Sequence, residues 1–173
     1  MRAGRLSVIL AAAVLTGCTH VVGGTGAARS SLPVAGFPAT AGLTEIAAKT
    51  FYRRSGNREY GFNFATPNGF ACGMGSFPKW ESARVHCTGP RPDKGPGTWT
   101  VTAKRFGQTT IKLTSKRERP RSSRARAGRK ELPQQHYVVD SADTLCLVTQ
   151  DSVVACHVGE HGFILAPDKT TLF

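Results

Sequence analysis

Hydrophobic and polar positions follow three different patterns along this chain. From Leu6 to Leu15 the residues carry no charge and are almost all apolar, behind Arg2 and Arg5. From residue 19 to about 43 no period persists. Ala, Gly, Thr, Ser, Val and Pro dominate there around the single charge of Arg29, a composition that reads as a flexible linker. Beyond Tyr60 the period is two. Tyr60, Phe62 and Phe64 alternate with Gly61, Asn63 and Ala65, as in a strand with its aromatic side chains on one face. Short runs predict further strands at 69–74, 83–88, 98–103, 109–114, 137–140, 144–149, 153–158 and 162–166, separated by Gly, Pro, Asp or Ser. Thr66-Pro67-Asn68-Gly69 reads as a β-turn, with Pro preset for the first central position. A short helix is expected over 44–51, capped by Thr44. No amphipathic helix pattern follows residue 60. The pattern predicts an all-β domain, a small antiparallel sandwich or open barrel.

Composition narrows this picture. A chain of 173 residues with 40% hydrophobic content suits one ordinary globular domain. It argues against a large α/β enzyme, a multi-pass membrane protein and a coiled coil. As a helix, the apolar run at 6–15 reaches about 15 Å, roughly half the hydrocarbon thickness of a bilayer, so it reads as a secretory signal rather than a span. Leu15-Thr16-Gly17-Cys18 resembles the bacterial lipobox. That resemblance implies a diacylglycerol thioether on the Cys18 sulfur, cleavage before Cys18 and acylation of the new amine. Two or three acyl chains hold firmly where one does not. The expected organisation is a signal peptide at 1–17, a lipidated Cys with a flexible tether at 18–43, and a β-rich extracytoplasmic domain at 44–173. The expected location is the outer side of the cell membrane, with membrane lipid as partner.

Cys72, Cys87, Cys146 and Cys156 remain, an even number in an exported chain, which points to disulfides. Four cysteines allow three connectivities. Cys72–Cys87 and Cys146–Cys156 are favoured because each joins neighbouring candidate strands. If Cys146 faces Cys156, Thr149 faces Val153 and Gln150-Asp151-Ser152 form a three-residue loop. A two-residue loop would send the two sulfurs to opposite faces, so a three-residue loop or a bulge is predicted. Zinc is the competing reading, with His86 and His157 nearby, but fourteen and nine intervening residues are not the two to four of zinc knuckles.

The surroundings of the two cysteine pairs carry a resemblance. Phe64-Ala65-Thr66-Pro67-Asn68-Gly69-Phe70-Ala71-Cys72 precedes Val85-His86-Cys87. Cys146 and Cys156 precede His161-Gly162-Phe163 and a terminal Leu172-Phe173. Over roughly residues 60–90 and 132–173 the chain is similar to a family of secreted or lipid-anchored actinobacterial proteins of unknown function. Glu160 stands where that pattern has Gly, and the turn before Cys72 is one residue short. The resemblance implies a cystine-stapled β-rich extracellular domain and brings no catalytic residues.

The net charge is +12, and much of it is concentrated. Between Lys104 and Lys130 there are 11 Lys or Arg residues and one acid, Glu118. The basic loop at 115–130 has no large apolar residue to bury and reads as a solvated excursion. Lys116, Arg117, Arg119, Arg121, Arg124, Arg126, Arg129 and Lys130 are its candidate contacts to anionic lipid or a phosphate-bearing wall polymer. Nucleic acid is disfavoured by the compartment and by the lack of interleaved aromatic residues.

No motif for a nucleophile, a metalloprotease or a phosphate loop is present, and no cofactor or metal is implied. His86 and His157 flank cysteines and are expected to point away from them. His161, with one of Asp140, Asp143 or Asp151, is the one pair suited to acid–base work, as in a small wall-active hydrolase. A structural turn histidine is the simpler reading. The expected function is a lipid-anchored envelope protein, non-enzymatic, with a binding or structural role. Polyanion binding through the basic loop is the further alternative.

Overall fold

The computed structural model describes residues 36–55, 59–75, 83–115, 128–141 and 143–173. The expected signal, Cys18 and the expected tether as far as residue 35 lie outside these, as do Lys116, Arg117, Arg119, Arg121, Arg124 and Arg126. The strands are β1 Thr44–Glu45, β2 Tyr52–Ser55, β3 Glu59–Ala65, β4 Ala71–Gly75, β5 Arg84–Pro90, β6 Thr98–Lys104 and β7 Thr110–Ser115. They continue with β8 Lys130–Glu131, β9 His136–Ser141, β10 Thr144–Val148, β11 Val154–Val158, β12 His161–Leu165 and β13 Thr170–Leu172. One sheet runs β2-β3-β4-β5-β6-β7, with β8 beside β3. The other runs β1-β9-β10-β11-β12-β13. All pairings are antiparallel except β1 with β9 and β8 with β3. The two mixed sheets form an all-β sandwich and not a closed barrel.

The core follows from strand alternation. Phe64, Cys72, Met74, Val85, Cys87, Val101 and Ala103 of the first sheet meet Val138, Cys146, Val148, Val154, Cys156, Val158, Phe163 and Leu165 of the second in one buried cluster. Both favoured disulfides are formed, with S–S distances of 2.05 Å for Cys72–Cys87 and 2.10 Å for Cys146–Cys156. In each the cysteines are direct cross-strand partners, 4.1 Å apart at Cα, near the closer of the two antiparallel spacings. The Cys146–Cys156 register also produces the expected loop. The Thr149 N–H donates to the Val153 carbonyl at 3.0 Å, and Ser152 takes a left-handed φ of 60° to close three residues.

The turn at Thr66 has the same construction. In both turns the threonine hydroxyl accepts from the N–H four residues on, at 3.1 Å from Phe70 and from Val153. The residue before that donor, Gly69 or Ser152, has positive φ. The two tips also touch, since Asn68 Nδ2 donates to the Ser152 carbonyl at 2.6 Å.

The helix expected over 44–51 is replaced by β1 and a short 3-10 turn at Ala48–Phe51. Thr44 N–H and Ile46 N–H donate to the carbonyls of Gln135 and Tyr137, so strand pairing with β9 satisfies groups a helix would have used. Residues 36–43, expected as the end of the tether, bring Phe37 and Leu43 onto the outer face of the second sheet. There they cover Leu145, Leu147 and Ala155.

A buried charge joins the two sheets beyond the core. Arg91, 2% exposed, follows β5 and places Nη2 2.5 Å from Asp93 Oδ1, while Nη1 donates to the Ala166 carbonyl at 2.9 Å. Asp93 Oδ2 accepts from the N–H and hydroxyl of Thr170 at 2.9 and 2.8 Å. Burial would raise the Asp93 carboxyl, but the Thr170 donors and the Arg91 and Lys94 charges hold it below the usual carboxylate range. The stability this contributes is present above the unfolded carboxyl's value and is lost as pH falls through the folded one.

Two outcomes test this architecture. Replacing Cys146 and Cys156 together by Ala removes a ten-residue closure and should lower the urea-unfolding free energy of the full chain by about 3 kcal/mol; an unchanged midpoint would contradict the assigned pairing. Asp93→Ala strands the Arg91 charge and should cost roughly 3–5 kcal/mol. Adding Arg91→Met should restore part of that loss. Additive losses in this double-mutant cycle would show that the two groups do not interact.

Candidate functional site

The outer faces of the two sheets differ in kind. That of the second sheet is apolar and covered by Phe37 and Leu43, with Tyr137, Val139 and Ile164 packed alongside. That of the first sheet is polar. Because Cys72, Cys87 and Val101 point inward, their neighbours point outward. Register then aligns Asn63, Gly73, His86, Thr102 and Thr110 in one row across β3–β7. Ala71, Thr88, Thr100 and Lys112 form the next row, and Arg84 faces Lys104 on the other side. No carboxylate projects from this face over β4–β7.

The hydroxyls are linked. Thr88 Oγ1 lies 2.9 Å from Thr100 Oγ1, which lies 2.6 Å from Thr114 Oγ1, so a hydrogen-bonded chain crosses three strands. Lys104 and Lys112 are exposed and form no ion pair with a described residue. At the β3 side Arg129 Nη1 donates to the Cys72 carbonyl at 3.0 Å and reaches Asn63 Oδ1 at 3.5 Å. Beside it a hollow of about 210 Å³ is lined by Thr50, Phe51, Tyr52, Asn63, Gly128 and Lys130.

His86 registers the electrostatics of this surface. Its ring lies over Gly73, where an added Cβ would sit 2.7 Å from His86 Cε1 and 2.9 Å from Asn63 Oδ1. Burial, then the charges of Arg84 and Arg129, push its pKa down to about 4. The ring is therefore neutral at neutral pH within a cationic surround.

The other candidates fall elsewhere. Of the basic-loop residues, Arg129 and Lys130 are described and border the face. His157 points outward, as alternation expects, but packs edge-on against Phe37 with ring centroids 4.7 Å apart, and its Nδ1 donates to the Gly159 carbonyl at 3.2 Å. Burial holds its pKa below the usual imidazole value. His161 opens β12 opposite Val158, and its side chain makes no hydrogen bond or ion pair with a described residue. Asp143 pairs with Arg105 instead, and Asp140 is pushed up by burial and by the Asp143 charge. The structure does not bring His161 and a carboxylate together as a hydrogen-bonded pair. No group of three or more metal-ligating side chains occurs among the described residues.

The arrangement of these cations was not apparent from the sequence. Arg84, Lys104 and Lys112 belong to separate strands; the register places Arg84 opposite Lys104 on one flank of the His86–Thr102 row and Lys112 on the other. The outward direction of His86 was available from its place beside Cys87. Compared with protein-family models, curated proteins and solved structures, the chain matches none.

The depressed His86 pKa has a measurable consequence. Between about pH 6.5 and 4 the unfolded imidazole binds a proton that the folded one refuses. Stability should therefore fall on acidification through that window, by an amount on the order of 3 kcal/mol at most. His86→Gln should flatten this segment of the stability–pH curve. An equally steep curve in the variant would show that His86 is not the group responsible.

Proposed function

We propose that the protein is a lipid-anchored cell-envelope module that binds an anionic envelope component and does not transform it. Cys18 carries the acyl chains, and the β-sandwich stands on the extracytoplasmic side of the cell membrane. This reading accords with the lipobox and with the resemblance to secreted actinobacterial proteins. The observation that carries the binding role is the contrast between the outer faces: one is apolar and covered by the chain's own Phe37 and Leu43, the other is cationic and rich in hydroxyls, with Arg84, Lys104, Thr110, Lys112 and Thr114 exposed. A face bearing cations of one sign attracts anions and loses that attraction as salt screens it.

The anchor and the binding role are tested separately. Native protein extracted in detergent should show a mass consistent with cleavage before Cys18 and acylation, and Cys18→Ala should leave the membrane fraction. An unmodified amino terminus in native material would refute the anchor. The detergent-extracted protein should be retained on an anionic matrix and released as salt rises, whereas retention indifferent to salt would refute the electrostatic role.

A further inference from the structure

Resting on that binding role, we infer that the outer face of the seven-stranded sheet is a site for a phosphodiester polymer, laid across β3–β7 over the row Asn63–His86–Thr102–Thr110. The face has the extent a polymer needs. The row crosses five strands, about 19 Å at the usual strand spacing. Its cations are spread along that length, with Arg129 at one end, Arg84 and Lys104 on one flank and Lys112 toward the other end. A single phosphate would need converging donors, whereas a repeating anion needs spaced ones.

The Thr88–Thr100–Thr114 hydroxyls and the uncharged His86 ring are short polar groups suited to phosphodiester and polyol oxygens, placed between cations that supply the attraction. Over β4–β7 no outward side chain is a large apolar group, so nothing there would insert into a bilayer, and no outward Phe, Tyr or Trp ring is available to stack on a base. The exposed Phe106, in the turn between β6 and β7, and Leu113, on the inward-pointing side of β7, do not belong to these rows. A soluble or wall-borne polymer fits this surface better than lipid headgroups do.

The test uses the full-length native protein in non-ionic detergent. Immobilised poly(glycerol phosphate) is the polymer probe; vesicles containing phosphatidylglycerol, offered to detergent-free Cys18→Ala protein so that no acyl chain can insert, are the alternative. Four cations on a flexible polyanion predict a slope of about −3 in log affinity against log salt, so doubling the salt should weaken binding roughly sevenfold. Lys104→Gln with Lys112→Gln changes two exposed side chains that form no ion pair with a described residue. It should leave the melting temperature unchanged, reduce affinity at least about tenfold at low salt and lower the slope by about 1.5.

Binding that survives this double variant but disappears when Lys116, Arg117, Arg119, Arg121, Arg124 and Arg126 become Gln would overturn the sheet-face site while leaving the anion-binding role intact. Binding to the vesicles and not to the polymer would overturn the ligand assignment. Binding to neither probe would overturn both this inference and the role it rests on.

Discussion

Two buried cystines, each spanning a directly opposed pair on adjacent strands, are the constraint on which the rest of the molecule depends. A cross-strand bond between facing residues fixes register, and register fixes which side chains of both strands point inward. With Cys72 and Cys87 turned to the core, His86 and Thr88 must face outward, and the same logic carries through Val101 to Thr100 and Thr102. With Cys146 and Cys156 turned inward, Leu145, Leu147, Ala155 and His157 must face outward as well. The cystines share one apolar cluster, so they stiffen the two sheets and at the same time help fill the space between them. In a body of this size the hydrophobic core alone is modest, which gives such closures weight.

The same constraint produces two outer faces with opposite needs. Leu145, Leu147 and Ala155 expose apolar surface that water disfavours, and the incoming chain supplies Phe37 and Leu43 to cover it. The opposite face carries hydroxyls and cations, which water solvates well where they are exposed. Beyond the core, the Arg91–Asp93 pair binds the loop after β5 to the β12–β13 hairpin through Ala166 and Thr170. Asn68 ties the two turn tips together. The cationic face is thus held on a support fixed at several points, a condition for presenting spaced charges in a constant arrangement.

What was readable beforehand and what was not separates along physical lines. The longer strands were visible because alternation over five or more residues is a strong local signal. The two-residue strands β1 and β8 were not, since parallel pairing of two residues leaves no period. Thr44 resembled a helix cap by residue type, yet its backbone was claimed by the edge of β9. The three-residue loop at Gln150-Asp151-Ser152 was deducible because a facing Cys146–Cys156 pair permits little else. Arg91 gave no warning, because nothing local distinguishes a buried arginine from the many exposed ones in so basic a chain. His161 stood out by sequence, but the carboxylates near it in the chain are engaged elsewhere, Asp143 with Arg105.

The amino-acid order by itself determined the β class, the main strands, the inward direction of the four paired cysteines and the outward direction of His86. These depend on one strand or on two adjacent ones, where the two-residue repeat and the reach of a disulfide leave few choices. Only the tertiary structure decided that Arg84 lies beside Lys104, that Arg129 closes over Asn63, and that Phe37 and Leu43 cover the apolar outer face while Lys104 and Lys112 stand exposed on the other. Those outcomes depend on register summed over several strands and on segments arriving from distant parts of the chain, and no local pattern encodes which surface such a segment will bury.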